Sequence, residues 1–538
     1  MVPVRSRRSR AVLLAAVAVA VAVAVPSVAA GHDIDTPQGH AAADATPRDA
    51  ALERRLAART EARAERRVRA MAAQAGLAQD VGRWGPVTPW PVVAVQTAVL
   101  PNGKVLAYDS VGDNDAGAYS VHNFTRATVW DPATGSHTPV ALSSLNVFCS
   151  GLAHLADGTL FLTGGNKDRS LAGIQQTHLF HHATNSWSRG PTMAVGRWYP
   201  TLTPLNNGEM LITGGRADVP EVRTTAGTLR RLTTAPLSLP LFPWMDLAPD
   251  GRVFLSGPGD ELRKISTGGT GGWQYLGSRG DGMYRGYGGH AVYDIGKILV
   301  AGGGRSSRDT RIIDMSPATP TKTMVAPMAF GRRQHNLTVL ADGSVLATGG
   351  NSNGAELVDV RASVYPAELW NPTTRTWKTM APMAVTRQYH STALLLPDAR
   401  VLSAGGGVCG TCTAQGYLGK NAEIFTPPYL FRRDGSGALA ARPSITSSAA
   451  RVGYGAAFTI TTPQATAIRK VALVRLGAVS HSVNMEQRYV PLSFTPGTGA
   501  LTARGPANAN LAPPGFYMLF LVDGNGVPSV GSIVRLGG

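Results

Sequence analysis

Seven times between residues 102 and 407 the chain repeats one short phrase: a turn-forming pair, an apolar run and, in most copies, a cluster of glycines. The turn pairs are Asn102-Gly103, Asp157-Gly158, Asn207-Gly208, Asp250-Gly251, Gly296-Lys297, Asp342-Gly343 and Asp398-Ala399. Five copies close at Gly164-Gly165, Gly214-Gly215, Gly302-Gly303-Gly304, Gly349-Gly350 and Gly405-Gly406-Gly407. Gly257-Pro258-Gly259 is a variant ending, and the first copy runs into Tyr108-Asp109. A short apolar run between two turns reads as a buried strand. Successive turns are 43 to 56 residues apart. A unit of that length cannot bury its own apolar face and must stack on its neighbours.

A period near fifty is that of kelch repeats, each forming one four-stranded blade of a propeller. Trp370-Asn371-Pro372 followed by Trp377, and Thr184-Asn185-Ser186-Trp187, match the outer strand pair of such a blade. Glycine and proline, 62 and 36 of 538 residues, suit a turn-rich all-β protein. After Phe425-Thr426-Pro427-Pro428-Tyr429-Leu430 the repeat stops, and a Gly/Ser/Arg-rich linker covers about 432–441. The last hundred residues hold short β-like runs at 457–460, 470–476, 489–494 and 516–522, which read as a seven-strand immunoglobulin-like sandwich. The expected fold is therefore all-β, a seven-bladed kelch β-propeller over 79–437 followed by an immunoglobulin-like β-sandwich over 438–538.

Residues 1–30 read as a secretion signal. Arg5, Arg7, Arg8 and Arg10 precede an apolar run at 11–25, and Val28-Ala29-Ala30 offers a small-residue cleavage site. A retained anchor is the alternative, although the run is short for a membrane span. The formal net charge of +17 falls to +13 when those four arginines are removed. Basic residues are scattered except between Arg54 and Arg69, and no aromatic-plus-basic nucleic-acid module is present. The charge implies at most a weak attraction to anionic polymers or to the cell envelope. A polar leader at 31–46 precedes a helix-forming stretch at 47–75, opened by Pro47 and stopped by Gly76.

The chemistry concentrates near the seventh repeat, in Arg387-Gln388-Tyr389-His390, the apolar Leu394-Leu395-Leu396, and a Cys409-x-x-Cys412 loop after the glycines. Adjacent Tyr389 and His390 point to opposite faces of a regular strand, whereas a turn or bulge would aim both at one place. A phenolate and an imidazole together suit Cu(II), which favours N,O donors. Three other fragments carry matching chemistry: Phe148-Cys149-Ser150-Gly151, Arg197-Trp198-Tyr199-Pro200 and Ser480-His481-Ser482-Val483-Asn484. Cys149 precedes Asp157 by eight residues and Tyr199 precedes Asn207 by eight, so they share one phase in consecutive blades.

In order and kind, these fragments resemble the copper-radical oxidases, the family of galactose oxidase and glyoxal oxidase, from about residue 90 onward. The resemblance implies one copper ion with Tyr199, His390 and His481 as equatorial ligands and Tyr389 as axial ligand and general base. It implies a thioether between Cys149 and the Tyr199 ring, which makes the phenol easier to oxidise and able to store a radical. It further implies that a hairpin of the C-terminal sandwich carries His481 up the propeller axis. The activity implied is secreted oxidation of an aldehyde or primary alcohol, or of a glycan end, with O2 reduced to H2O2, by a monomer without flavin or nicotinamide. No Gly-x-Gly-x-x-Gly opens a helix after a strand. Cys409 and Cys412, in an exported chain, read as a disulfide.

Other residues compete for roles. His335 resembles a residue that lies beyond the ligands in that family, and His290 precedes the fifth turn. Each is equally well read as a hydrogen-bonded core histidine. His178, His181 and His182 fall on outer strands and are expected at the surface. Galactose oxidase places a tryptophan on the thioether just after the glycine pair, where this chain has Arg216-Ala217-Asp218. Trp198 and Trp244 are candidates to replace it. That departure, and a resemblance that does not reach galactose oxidase's N-terminal carbohydrate-binding module, favour the glyoxal-oxidase branch. The rival reading is a non-catalytic secreted kelch module that binds extracellular or envelope glycan. A hydrolase would need a carboxylate pair or an activated nucleophile, and neither pattern is present.

Overall fold

The computed structural model describes residues 77–537, together with Ala62 and Arg66, which are helical. The segment 1–30, the leader 31–46 and the remainder of the stretch at 47–75 lie outside the described residues. No helix among the described residues is long and apolar enough to cross a membrane.

Each repeated turn joins the first two strands of an antiparallel sheet. Five sheets have four strands in simple sequence order, led by Gly151–His154, Pro200–Pro204, Trp244–Leu247, Gly289–Asp294 and Asn336–Val339. At six of the seven turn pairs the second residue is left-handed, as at Gly103 (φ 80°), Gly343 (φ 89°) and Ala399 (φ 64°), and in Gly296-Lys297 it is the first, at φ 71°. The first two strands of a blade are buried on both faces, as in Val105–Tyr108, and so read as unbroken apolar runs. Outer strands such as Ser186–Arg189 are largely exposed. Burying each Val, Leu or Ile of the inner strands contributes ~1.5–3 kcal/mol, which is what stacks the blades.

The ring is closed from outside the repeat at two places. Ser391–Leu395, Val401–Gly405 and Asn421–Thr426 take their outermost strand from Arg83–Trp84, with Arg83 opposite Thr426 and Trp84 opposite Phe425. The first blade, led by Gln96–Val99, gains two strands at its inner edge, Ala478–Ser480 and Val483–Asn484. Those two belong to the C-terminal sandwich. Its five-stranded sheet pairs Ile468–Arg475 with Tyr489–Leu492, and between them the chain leaves the sheet to enter the ring. Ser480 then lies opposite Gln96 and Val479 opposite Thr97. A four-stranded sheet of Ser447–Ser448, Ala457–Thr461, Ala500–Arg504 and Phe494–Pro496 completes the sandwich around a core of Ile460, Leu473, Leu501 and Leu519.

One surface expectation is overturned. His178 is buried, because its strand Thr177–His181 turns alternate residues toward the neighbouring blade. Burial, helped by the charge of Arg189, pushes its imidazole down to about 4. His181 and His182 are half-buried.

Candidate active site

The mouth of the ring is built on buried arginines. Just before four inner strands, Arg197, Arg285, Arg332 and Arg387 each donate from Nη1 to a carbonyl of their own blade's glycine cluster. The acceptors are Gly214 (2.7 Å), Gly302 (2.6 Å), Gly349 (2.7 Å) and Gly405 (2.9 Å). The backbone carbonyls of Arg197, Arg332 and Arg387 accept in turn from Gly165, Gly303 and Gly350 of the preceding blade. A Cβ on Gly349 would sit 2.3 Å from the Arg387 carbonyl, so this close approach requires glycine. Buried glutamates complete two latches, Glu221 with Arg197 at 3.1 Å and Glu368 with Arg332 at 2.7 Å.

Beyond the latches the chain turns into the axis through a left-handed residue. Tyr199 (φ 62°) and His390 (φ 67°) stand immediately before an inner strand, and Cys149 (φ 64°) stands two residues before one. At the seventh blade this turn brings the adjacent rings of Tyr389 and His390 into a stack 3.8 Å apart, so they face one place. The Tyr199 and Tyr389 hydroxyls are 2.8 Å apart, and His481 Nε2 is 2.9 Å from the Tyr199 hydroxyl. His481 arrives on the tip of the sandwich hairpin, itself left-handed at φ 50°. Cys149 Sγ lies 3.9 Å from His481 Nε2 and within hydrogen-bonding reach of Tyr199. All five residues singled out in the sequence thus meet around one point, and all are buried.

The donor set fits copper. Cys149, His390 and His481 are the one cluster of potential His, Cys, Asp or Glu ligands among the described residues, with ligand atoms within 4.8 Å of one another. His390 donates from Nδ1 to the Gly407 carbonyl at 2.5 Å, which fixes the tautomer whose Nε2 carries the lone pair. His481 Nδ1 is held by Ser480 Oγ at 2.8 Å. Burial pushes the Tyr199 phenol well above its ordinary range, and the neighbouring Cys149, Tyr389 and Tyr287 add to this. Burial likewise raises the Cys149 thiol. Two adjacent buried phenols ionise only against a compensating cation, and phenolate plus imidazole donors suit Cu(II).

The stacking partner is now identified. Trp198 lies 3.9 Å from the Tyr199 ring at 11° to its plane, while Trp244 stacks instead on His290 at 5.2 Å. Phe242 also lies nearly parallel to Tyr199, at 4.7 Å, and Arg216 places its guanidinium 4.2 Å over Trp198. Phe148 meets His390 edge-on at 5.2 Å, and Tyr287 meets Tyr389 edge-on at 5.7 Å. Sequence reasoning passed over Phe242, Phe148, Tyr287 and Arg216. Phe242 and Tyr287 are the left-handed residues of their blades, so phase relative to the turns could have found them. A cavity of about 30 Å³ beside Tyr199 and His481 is walled by Phe242, Trp244, Tyr284 and Tyr287.

The other two candidate histidines, His290 and His335, lie outside this cluster. His290 sits lower in the axis with Nε2 3.5 Å from Asp246, its imidazole pushed down by burial and partly restored by that carboxylate. His335 is packed against Gly289 and Gly302, and burial with the charges of Arg332 and Arg285 lowers it to about 3. The one cysteine pair, Cys409–Cys412, is a disulfide.

Comparison with known proteins carries the site further. Residues 442–536 match the family model described as galactose oxidase-like, Early set domain. Galactose oxidase of Gibberella zeae is 33% identical over 499 aligned positions, covering 85% of this chain and 71% of that one. Aldehyde oxidase GLOX of Vitis pseudoreticulata is 28% identical, covering 85% and 94%. Among solved structures, a fungal alcohol oxidase of the AA5 family in complex with copper superposes with a TM-score of 0.78 at 28% identity, covering 85% of this chain and all of that one. With a relative one-third identical along most of its length, and a copper enzyme sharing its fold, the chain belongs to the copper-radical oxidases, the family of galactose oxidase and glyoxal oxidase, and its metal is copper.

Proposed function

We propose that this enzyme oxidises a small aldehyde or primary alcohol, or the terminal hydroxyl of a glycan, with O2 as acceptor, and that it does so outside the cell. The carrying observation is the meeting of Tyr199 with Tyr389, His481 and Cys149 at one buried point. Tyr199, Tyr389, His390 and His481 would hold the ion. Bound copper supplies a Lewis acid and a one-electron couple. Tyr389, 2.8 Å from Tyr199 and next to His390, is the base that takes the hydroxyl proton of the alcohol, or of the hydrate that an aldehyde forms with water. Tyr199, oxidised by one electron and joined through its ring to Cys149, takes the hydrogen atom from the substrate carbon. The substrate loses two electrons and two protons in all, and O2 gains both pairs as H2O2. Trp198 and Phe242 cover the Tyr199 ring and keep water off it, and the narrow aromatic-walled cavity suits a substrate that presents only its reacting end.

The propeller at 79–437 and the sandwich at 438–538 act as one unit in this reading, since the sandwich contributes His481. Export rests on the basic, apolar and small-residue pattern of residues 1–30. A peroxide-coupled panel of aldehydes, primary alcohols and oligosaccharides on the copper-loaded protein tests the activity. Intact-mass measurement tests the thioether, which makes the protein two hydrogens lighter and joins the Cys149 and Tyr199 peptides after reduction. Absence of peroxide across the panel, together with an alkylatable Cys149, would overturn the proposal. The mature chain should begin near Gly31.

A further inference from the structure

The largest cavity among those described lies away from the mouth, in a cleft of about 430 Å³ between the propeller and the sandwich. Inner strands Gly289–Asp294 and Asn336–Val339 begin at the mouth and end at this cleft, whose floor includes Asp294, Asp342 and Gly343. At ~3.3 Å per residue, a six-residue strand separates it from the copper cluster by ~20 Å. The cleft is therefore a separate place on the opposite face of the ring.

Its lining combines three kinds of group. Half-buried Phe494 offers an apolar ring face, beside Tyr489, which is buried and packed against Gly343. Asp294 and Asp342 offer carboxylates already partly engaged, the first with Lys297 at 3.1 Å and the second with the Ser344 N–H and hydroxyl. Four cations border it: Lys297, Arg375, Arg469 and Lys470. Lys470 donates to the Asp342 carbonyl, and Arg469 donates to the carbonyls of Thr466 and Ile468. Neither Arg375 nor Arg469 forms an ion pair with any described residue, and both are exposed. A neutral sugar has no use for two guanidiniums that lack a carboxylate partner, and a bare anion has none for the carboxylates and the ring face. A pyranose bearing a carboxylate or phosphate uses all three, its apolar face on the Phe494 ring, its hydroxyls on the aspartates and its anion on the arginines. The volume falls within the usual range for a small-ligand site.

We propose that this cleft binds an anionic saccharide, a uronate or a sugar phosphate, independently of the oxidase site. The test is calorimetric titration of the copper-loaded protein with trigalacturonate, glucose 6-phosphate, maltotriose and inorganic phosphate. At least one anionic sugar should bind tenfold or more tightly than maltotriose and inorganic phosphate, and which one binds identifies the source of the anion. Arg375→Ala/Arg469→Ala should weaken that binding at least tenfold, while Arg375→Lys/Arg469→Lys retains most of it. Peroxide formation from a small soluble substrate should be unchanged in both variants, since neither arginine is near the mouth. Equal binding of maltotriose, equal binding of inorganic phosphate, binding that survives the double alanine variant, or no binding at millimolar sugar would each overturn the proposal.

Discussion

Replacing Arg197 by Met tests whether the buried latches hold the mouth. The side chain is fully buried and donates to Gly214 O at 2.7 Å, Val219 O at 2.8 Å and Glu221 Oε1 at 3.1 Å. Hydrogen bonds to charged groups contribute ~1.5–3 kcal/mol each, or ~5–9 kcal/mol for three. Keeping a guanidinium and a carboxylate away from water offsets several kcal/mol of that. Removing one partner of such a pair costs about 3–5 kcal/mol, because the other charge stays buried. Glu221 would keep only the Ala194 N–H, at 3.1 Å. Methionine fills much of the vacated volume, so the loss is polar and only slightly a cavity effect. At ~2–4 °C per kcal/mol for large domains, melting should fall on the order of 10 °C by calorimetry, in metal-free and copper-loaded protein alike. Arg197→Met/Glu221→Leu removes both charges and should recover to within ~2 kcal/mol of the parent. A single variant melting within ~2 °C of the parent, or a double variant no better than the single, would refute the latch.

Three further outcomes are expected. His481→Ala should lower the copper content of purified protein by metal analysis while the sandwich keeps its β signature, because only a hairpin tip changes; full occupancy with undiminished peroxide output would sink the ligand assignment. His335, held near 3 in the fold against 6.5 when unfolded, stabilises the native state above pH 6.5, and this contribution is lost as pH falls toward 3, at ~1.4 kcal/mol per pH unit. His335→Gln should therefore flatten the acid slope of unfolding between pH 6 and 4 by one proton, and an unchanged slope would show that the imidazole is not held neutral. Trp198→Leu removes a stack worth ~0.5–1.5 kcal/mol and should shift the Tyr199 oxidation equilibrium up to about tenfold, read by redox titration of its radical signal; an unmoved midpoint would leave Trp198 a packing residue only.

Much of this molecule is legible because a repeat ties phase to place. The turn pairs mark one end of each inner strand, so Cys149 and Tyr199 at equal distance from their turns had to emerge together at the other end. The hairpin was legible only through the family resemblance, since nothing in Ser480-His481-Ser482 states that Ala478–Ser480 pairs with Gln96–Val99. Two-residue Arg83–Trp84 carries no periodicity at all, and its pairing with Thr426 and Phe425 is a purely tertiary fact. The latch arginines stood in plain view three or four residues before their strands. Arginine is ordinarily a surface residue, and the glycine carbonyls, with the buried carboxylates of Glu221, Asp281 and Glu368, make these exceptions stable. His178 failed for the same reason in reverse, because an outer strand still has one face against the next blade.

The left-handed residues connect fold to chemistry most directly. Six of the seven blades place a non-glycine there: Cys149, Tyr199, Phe242, Tyr287, Gln334 and His390. Each such conformation costs ~1–3 kcal/mol, so six together rival the ~5–15 kcal/mol net stability of an ordinary domain. None of these residue types prefers that conformation enough to explain the pattern locally. The ring must impose it, and at Tyr199, Gln334 and His390 the strand's start is visibly fixed between its own glycine carbonyl and the preceding blade's glycine N–H. A frame that dictates the backbone leaves the side chain free to vary, which is why thiol, phenol, phenyl, amide and imidazole occupy equivalent seats facing one axis. The proposed copper site would draw on three of those seats, on Tyr389 beside one of them, and on His481 from the sandwich. Phe242 and Tyr287 occupy two more, and both line the cavity beside Tyr199.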